Sequence, residues 1–243
     1  MRILGIIPAR FDSSRFPGKP LIDLKGKSMI QRVYEGASKS KLLTDVIVAT
    51  DDKRIFDAVL AFGGKAEMTD KAHTSGTDRC GEVLSRHSDY NVVINIQGDE
   101  PLVSPIQIDQ LLKAFKDSST QIATLGIVEN SKAELENPNR IKLVQNANGE
   151  AMYFSRSPIP NTAHGKQTDI EAYDFIRHIG LYAYRTEILK KIVKLEKTEL
   201  EKIESLEQLR WMFHGFTIKV VQTDIETPNI DVPADVEKVL AVL

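Results

Sequence analysis

The chain has 243 residues, 42% of them hydrophobic and 27% charged, the balance of an ordinary soluble globular protein and not of a disordered or fibrous one. Thirty-two basic residues against thirty-four acidic ones leave a formal net charge of -2, so no general attraction to nucleic acid or to an anionic membrane is expected and any anion site must be local. The single cysteine, Cys80, excludes an internal disulfide; no apolar run approaches the ~20 residues that span a bilayer, and the opening MRILGIIPARF is interrupted too soon for a signal peptide, so a cytoplasmic setting is expected.

In chain order, short apolar runs alternate with segments of helical periodicity: ILGIIP, SMIQRVYEGASKS, DVIVAT, KRIFDAVLAFG, NVVINIQ, IQIDQLLKAFK and QIATLGIV. VIVAT and VVINI are β-branched and continuously apolar, as strands buried on both faces of a parallel sheet must be. The expected fold is α/β, a doubly wound, mostly parallel sheet in one domain over residues 1–243. After about Lys142 the rhythm changes to EAMYFSRSPIP, HIGLYAYR and ELEKIESLEQLRWMFHG, the last read as one long helix. Residues of about 142–216 are expected to form an insertion that completes the site. IKVVQT then reads as a strand, ETPNID as a turn and PADVEKVLAVL as a closing helix.

Doubly wound sheets bind ligands beyond the carboxyl ends of their strands, so the loops after IIP, VIVAT and VVINI are the places to look. PARFDSSRFPGKP sets Arg10, Arg15 and Lys19 against one acid, Asp12, with Ser14 and Gly18 among them, and it reads as a phosphate cradle. It is not the usual P-loop, because G-x-x-x-x-G-K-[ST] is absent. QGDEP (Gln97 to Pro101) ends a strand in two adjacent carboxylates. Mg²⁺ is usually held by one or two carboxylates with phosphate oxygens and water, so Asp99 is a candidate ligand and Asp231, in NIDVP, its candidate partner; a cap or turn is the alternative for each. HTSGTDRCGEVL brings Ser75, Gly76 and Arg79 to a loop-to-helix junction, where they could read a base edge, while Thr77 and Asp78 are better explained as a helix cap.

Together the blocks IIPARFDSSRFPGKPL, VATDD, HTSGTDR, NIQGDEP, NPNRIKLV, YFSRSPIP, HIGLYAYR and SLEQLR resemble, in this order, the 3-deoxy-manno-octulosonate (Kdo) cytidylyltransferases. The resemblance runs from Ile6 to about Arg210. It implies that CTP and Kdo react to give CMP-Kdo and pyrophosphate for lipopolysaccharide biosynthesis, with Mg²⁺ on Asp99 and Asp231 and with Arg10, Ser14, Arg15 and Lys19 on the phosphates. Ser75, Gly76 and Arg79 would discriminate cytosine, and Gln97 would lie close to the sugar or phosphate. It also implies a homodimer, for which Trp211, Met212 and Phe213 offer an apolar surface or else core.

An acceptor with a carboxylate and many hydroxyls needs a cation and hydrogen-bonding groups. Arg156, His178, Tyr182, Glu207 and Gln208 lie in blocks that by resemblance line the sugar site, Arg156 as a bidentate partner of the carboxylate. Simpler explanations remain for three of them: Tyr182 in a half-buried strand, His178 in the core and Glu207 as a helix acid. Near the C-terminus the family usually reads Asp-Thr-Pro, and here Val232 replaces the threonine. A cytidylyltransferase for another acidic sugar would share the nucleotide half.

Overall fold

Buried strands organise the chain. The structure is a computed structural model, and it describes residues 1–12, 16–161, 174–230 and 232–243. The strands are β1 (Ile3–Ala9), β2 (Asp23–Leu24), β3 (Lys27–Ser28), β4 (Asp45–Thr50), β5 (Ala66–Met68), β6 (Val92–Asn95), β7 (Ile122–Glu129), β8 (Lys142–Gln145), β9 (Ala151–Ser155), β10 (Phe175–Arg185) and β11 (Ile218–Gln222). The helices are α1 (Met29–Ala37), α2 (Lys53–Ala61), α3 (Gly76–Arg86), α4 (Pro105–Lys113), α5 (Lys132–Glu136), α6 (Thr186–Ile192), α7 (Glu199–Glu204), α8 (Gln208–Phe213) and α9 (Asp235–Val242).

The main path of the large sheet runs β11-β7-β10-β6-β1-β4-β5, with β8 on β10 and β9 on β8. β1 pairs in parallel with β4 on one side and β6 on the other, and β4 pairs in parallel with β5. The order therefore reverses between β1 and β6, which is where such sheets open a crevice. Apolar side chains on the two sheet faces form two cores, one with Ile7, Val48 and Ile94 under α1, α2 and α4, the other with Leu4, Val93 and Trp211 under α3, α6 and α8.

The doubly wound, mostly parallel expectation holds, with two differences. The first concerns residues 142–216. Their strand β10 lies in the middle of the sheet, antiparallel to both β6 and β7, so this segment is not appended to a finished sheet but closes it. HIGLYAYR gave no sign of this, because a strand covered on both faces has the same apolar pattern whichever way it runs. Its register on β7 shifts between Ile179 and Tyr182, a bulge that turns the strand beside Gly180.

The second difference is that the single helix expected over ELEKIESLEQLRWMF is two. Ser205 takes a left-handed conformation (φ 52) that ends α7, and the buried Leu206 separates it from α8. Of the apolar trio that follows, Trp211 is core and Phe213 is 65% exposed.

Trp211 sits edge-on to Tyr182 at 5.2 Å and to Tyr184 at 5.5 Å, tying α8 to the central strand. Trp211→Ala is expected to destabilise the fold by about 3–5 kcal/mol, the usual cost of deleting a large buried aromatic ring, read as a lower urea midpoint.

Candidate active site

The loops after β1 and β6 meet at the switch point. A Cβ on Gly98 would stand 2.6 Å from the Pro8 carbonyl oxygen, so only glycine lets the two strand ends come this close. Around them opens a first cavity of about 220 Å³, lined by Arg10, Lys19, Gly76, Arg79, Gln97 and Asp99 among others. Arg10 is exposed and pairs with no described acid. Gly18 carries φ +72 and donates its N–H to the Phe11 carbonyl (2.9 Å), closing the described ends of the first loop on each other. Ser14 and Arg15 lie outside the described residues.

Lys19 joins three segments. Its ammonium donates to Asp99 Oδ2 at 2.9 Å and to the Ile230 carbonyl at 2.7 Å, and the Ile230 N–H returns to the Asp99 carbonyl at 3.0 Å. The tail loop is thereby fixed on the QGDEP loop. Asp231 itself lies outside the described residues, while the Asp235 carboxylate accepts the N–H of Val232, the residue that stands in place of the family's threonine (3.1 Å).

The helix α3 begins in a reciprocal cap: Ser75 Oγ accepts the Asp78 N–H and the Asp78 carboxylate accepts the Ser75 N–H. Capping was expected of Thr77 and Asp78. Asp78 takes part, but Ser75 is the cap and the Thr77 hydroxyl donates to Glu207 Oε2 at 2.7 Å. Gly76 lies against Pro8 and Asn95 on the cavity wall.

Arg79 requires a correction. Although it reaches the wall, it is only 1% exposed, and its guanidinium is held by Asp51 from the VATDD loop, by Thr69 Oγ1 (2.6 Å) and by the Asp70 carbonyl (3.3 Å). It braces the loops after β4 and β5, and its guanidinium is committed to these partners instead of being free for a base.

A second cavity, of about 360 Å³, shares Gln97 and Asp99 with the first and continues along β10 past His178, Gly180 and Tyr182 to Arg140, Gln208 and Asn229. His178, Gly180 and Tyr182 are alternate residues of one strand and so share a face. Gln97 Nε2 donates to the Gly180 carbonyl (3.1 Å), joining the two cavities at the bulge. His178 packs on Phe154 and Tyr182 at 5.1 and 5.3 Å and meets Thr124 Oγ1 through Nε2 at 3.0 Å. Burial pushes its pKa down to about 3, so the imidazole is neutral at pH 7. Two buried polar atoms on this wall, Tyr182 Oη and Gln208 Nε2, have no hydrogen-bond partner among the described residues. Unpaired buried polar groups are costly, and a polyhydroxyl ligand would satisfy them.

Two expected sugar contacts do not line this cavity. Arg156 donates from Nε to the Glu204 carbonyl (2.7 Å), from Nη1 to the Pro138 carbonyl (3.0 Å) and from Nη2 to the Ser205 carbonyl (3.4 Å). It caps the open end of α7 that the break at Ser205 creates, where a cation is favoured. Glu207 is bound to Thr77 and to Arg210 Nη2 (2.6 Å), linking α3 to α8, and burial raises its pKa.

Residues without an expected role also enter the second cavity: Glu100, Asn139, Arg140, Arg177, Thr227 and Asn229. Burial, with Asp99 beside it, pushes the Glu100 carboxyl up to about 8. Glu100 stands in QGDEP and Asn139 and Arg140 in NPNRIKLV, so the blocks were visible although these roles were not.

The Cytidylyltransferase family pattern matches residues 4–220 of the chain. A 3-deoxy-manno-octulosonate cytidylyltransferase of Parabacteroides distasonis is 52% identical, the match covering 100% of this chain and 98% of that protein. One from Bacteroides thetaiotaomicron is 51% identical over 98% and 96%. The chain belongs to this family. A solved CMP:2-keto-3-deoxy-manno-octonic acid synthetase complexed with CTP superposes with a TM-score of 0.93 at 43% identity, covering 100% of this chain and 98% of that one. In this cytidylyltransferase both cavities lie within the matched span, apart from Thr227 and Asn229.

The neutral His178 has a pH signature. Its folded pKa (about 3) lies below the ordinary 6.5, so below about pH 6.5 the unfolded chain binds a proton that the folded chain refuses, and stability falls as pH falls towards 3. The thermal midpoint of His178→Gln is therefore expected to drop less than that of the unaltered protein between pH 7 and pH 4.

Proposed function

We propose that the chain transfers CMP from CTP to the anomeric hydroxyl of Kdo, giving CMP-Kdo and pyrophosphate. The observation that carries this reading is the pair of cavities that share Gln97 and Asp99, one at the strand-end crevice and one along the β10 face. A triphosphate in the first would bring its α-phosphorus to the shared wall, where a sugar in the second would present its hydroxyl.

In the reaction, the anomeric oxygen forms a bond to the α-phosphorus as the bond to the leaving pyrophosphate breaks, and the hydroxyl proton passes to water. Arg10 and Lys19, with Arg15 of the same loop, balance charge on the leaving phosphates. Ser75 and Gly76 are proposed at the base, through the backbone of the α3 start, with Arg79 behind them as a brace. Gln97 orients the acceptor from its anchor on Gly180. His178 and Tyr182 line the sugar, with Gln208 Nε2 as a donor. His178 is too weak a base near neutral pH to take the proton.

The donor chemistry of the shared wall suits Mg²⁺: the Asp99 carboxylate there already faces a cation, the Lys19 ammonium, and the Ile230 N–H is bonded to the Asp99 carbonyl. Asp99 and Asp231 would hold the ion, with phosphate oxygens and water as its other ligands. When bound, it would neutralise phosphate charge and lower the pKa of the attacking hydroxyl.

A homodimer and a cytoplasmic setting belong to the same reading, the former supported by Phe213 and Ile203, exposed at 65% and 77% on the adjoining helices α8 and α7. None of the described helices is long and apolar enough to cross a membrane.

Purified protein with Mg²⁺ and CTP is expected to release pyrophosphate with Kdo and not when the metal is withheld or UTP replaces CTP. Asp99→Asn is expected to lower kcat on the order of 100-fold or more, the scale for losing one electrostatic contact to the transition state. Release with N-acetylneuraminate but not Kdo would move the acceptor assignment, and silence with every acid sugar would overturn the reading.

A further inference from the structure

With Arg156 bound to carbonyls, the second cavity offers another described cation for the acceptor's carboxylate. We propose that Arg140 takes this carboxylate, held in position by the buried ammonium of Lys142. The proposal rests on the reading of the second cavity as the site of an acidic sugar.

Two guanidinium groups line that cavity. Arg177 is spent: its Nε pairs with Glu129 Oε1 at 2.9 Å, its Nη2 with Glu226 Oε1 at 2.8 Å, and it is 3% exposed. Lys19, at the shared wall, is committed to Asp99 and the Ile230 carbonyl. Arg140 differs. Its Nε lies 2.8 Å from Glu134 Oε2, an ion pair on one edge of the guanidinium, and neither Nη has a partner among the described residues. A guanidinium with its outer nitrogens unclaimed is suited to grip a planar carboxylate with two parallel bonds. Its charge would also complement Asp99, which lines the same cavity.

The backbone beneath Arg140 is fixed from inside. Lys142 is 0% exposed, and among the described residues its ammonium meets no carboxylate within ion-pair distance. It donates to the carbonyls of Asn137 (3.1 Å), Arg140 (2.7 Å) and Arg156. Those three acceptors use all three of its protons. A buried ammonium is costly, and burial lowers its pKa, so the arrangement persists only because the carbonyls compensate. They come from two segments, the turn before β8 and the end of β9, so one charge locks together the loop that carries Arg140 and the strand end that carries Arg156. The Arg140 N–H adds a bond to the Asn137 carbonyl at 3.0 Å. Arg140 is thus the contact residue and Lys142 a positioning residue.

The test compares Kdo with its C1 amide, which keeps the hydroxyls and loses the charge, in steady-state assays of the full-length protein with CTP. The unaltered enzyme is expected to prefer the acid strongly. Arg140→Gln should raise the KM for Kdo by roughly 30-fold or more, the scale of removing one partner from a desolvated charge pair, with CTP binding unchanged and the acid-over-amide preference lost. Arg140→Lys, which keeps the charge but not the fork, should fall between. Lys142→Met, which fills the same space without charge, should raise the KM for Kdo and weaken the preference while leaving CTP binding intact, a split that a general loss of folding would not produce. If Lys142→Met fails to fold, the Arg140 variants still decide, since they change a partly exposed side chain. An Arg140→Gln enzyme with unaltered KM and preference overturns the proposal, as does loss of the preference in Arg156→Gln alone. If the unaltered protein turns over no acidic sugar, the functional reading fails and this proposal with it; if it does and Arg140→Gln behaves normally, only this proposal fails.

Discussion

The approach of two strand ends, with Gly98 pressed towards the Pro8 carbonyl, is the constraint on which the site depends. Parallel pairing of β1 with β6 brings the two loops to one edge, but a side chain at position 98 would separate them. Because they touch, the loop after β1 and the QGDEP loop enclose one space, and Lys19 can cross it to reach both Asp99 and the tail at Ile230. The second cavity inherits the same geometry, since Gln97, one residue earlier, reaches across to the bulge of β10.

Around this junction the protein uses buried charges as braces. Arg79 with Asp51, Arg177 with Glu129 and Glu226, and Lys142 with its carbonyls each bury a cation that joins separate segments of the chain, and Arg210 with Glu201 and Glu207 buries one between α7 and α8. Removing one partner from such a group leaves an uncompensated charge, so these contacts penalise any arrangement that separates their segments. Outside the braces, the outer nitrogens of Arg140, Tyr182 Oη and Gln208 Nε2 have no hydrogen-bond partner among the described residues, and Arg10 pairs with no described acid.

Much of the frame was legible in the sequence. DVIVAT and NVVINIQ announced buried parallel strands, and the loop after NVVINIQ held Gln97 and Asp99 where the cavities open. What was not legible has a common physical cause. The direction of β10, the break at Ser205 and the engagement of Arg79 and Arg156 all depend on partners remote in the chain, and an arginine bound to carbonyls looks the same in sequence as one awaiting a ligand. Arg156 was expected to meet a carboxylate because its block resembles the family's; the carbonyls it caps exist only because a helix ends early. Lys142, a lone cation in the apolar run IKLV, was the visible sign of a buried charge that composition alone could not interpret.

The two cavities are built from different kinds of backbone. The first is framed by the ends of β1 and β6 and the start of α3, elements fixed by the central sheet, whereas the far side of the second is the short turn that carries Asn139 and Arg140. Exchanging side chains on that turn changes what the acceptor meets without disturbing a strand. In evolutionary terms the nucleotide half is conservative by construction and the acceptor half is free to drift, so a lineage can acquire a new acid sugar while inheriting its nucleotide chemistry unaltered.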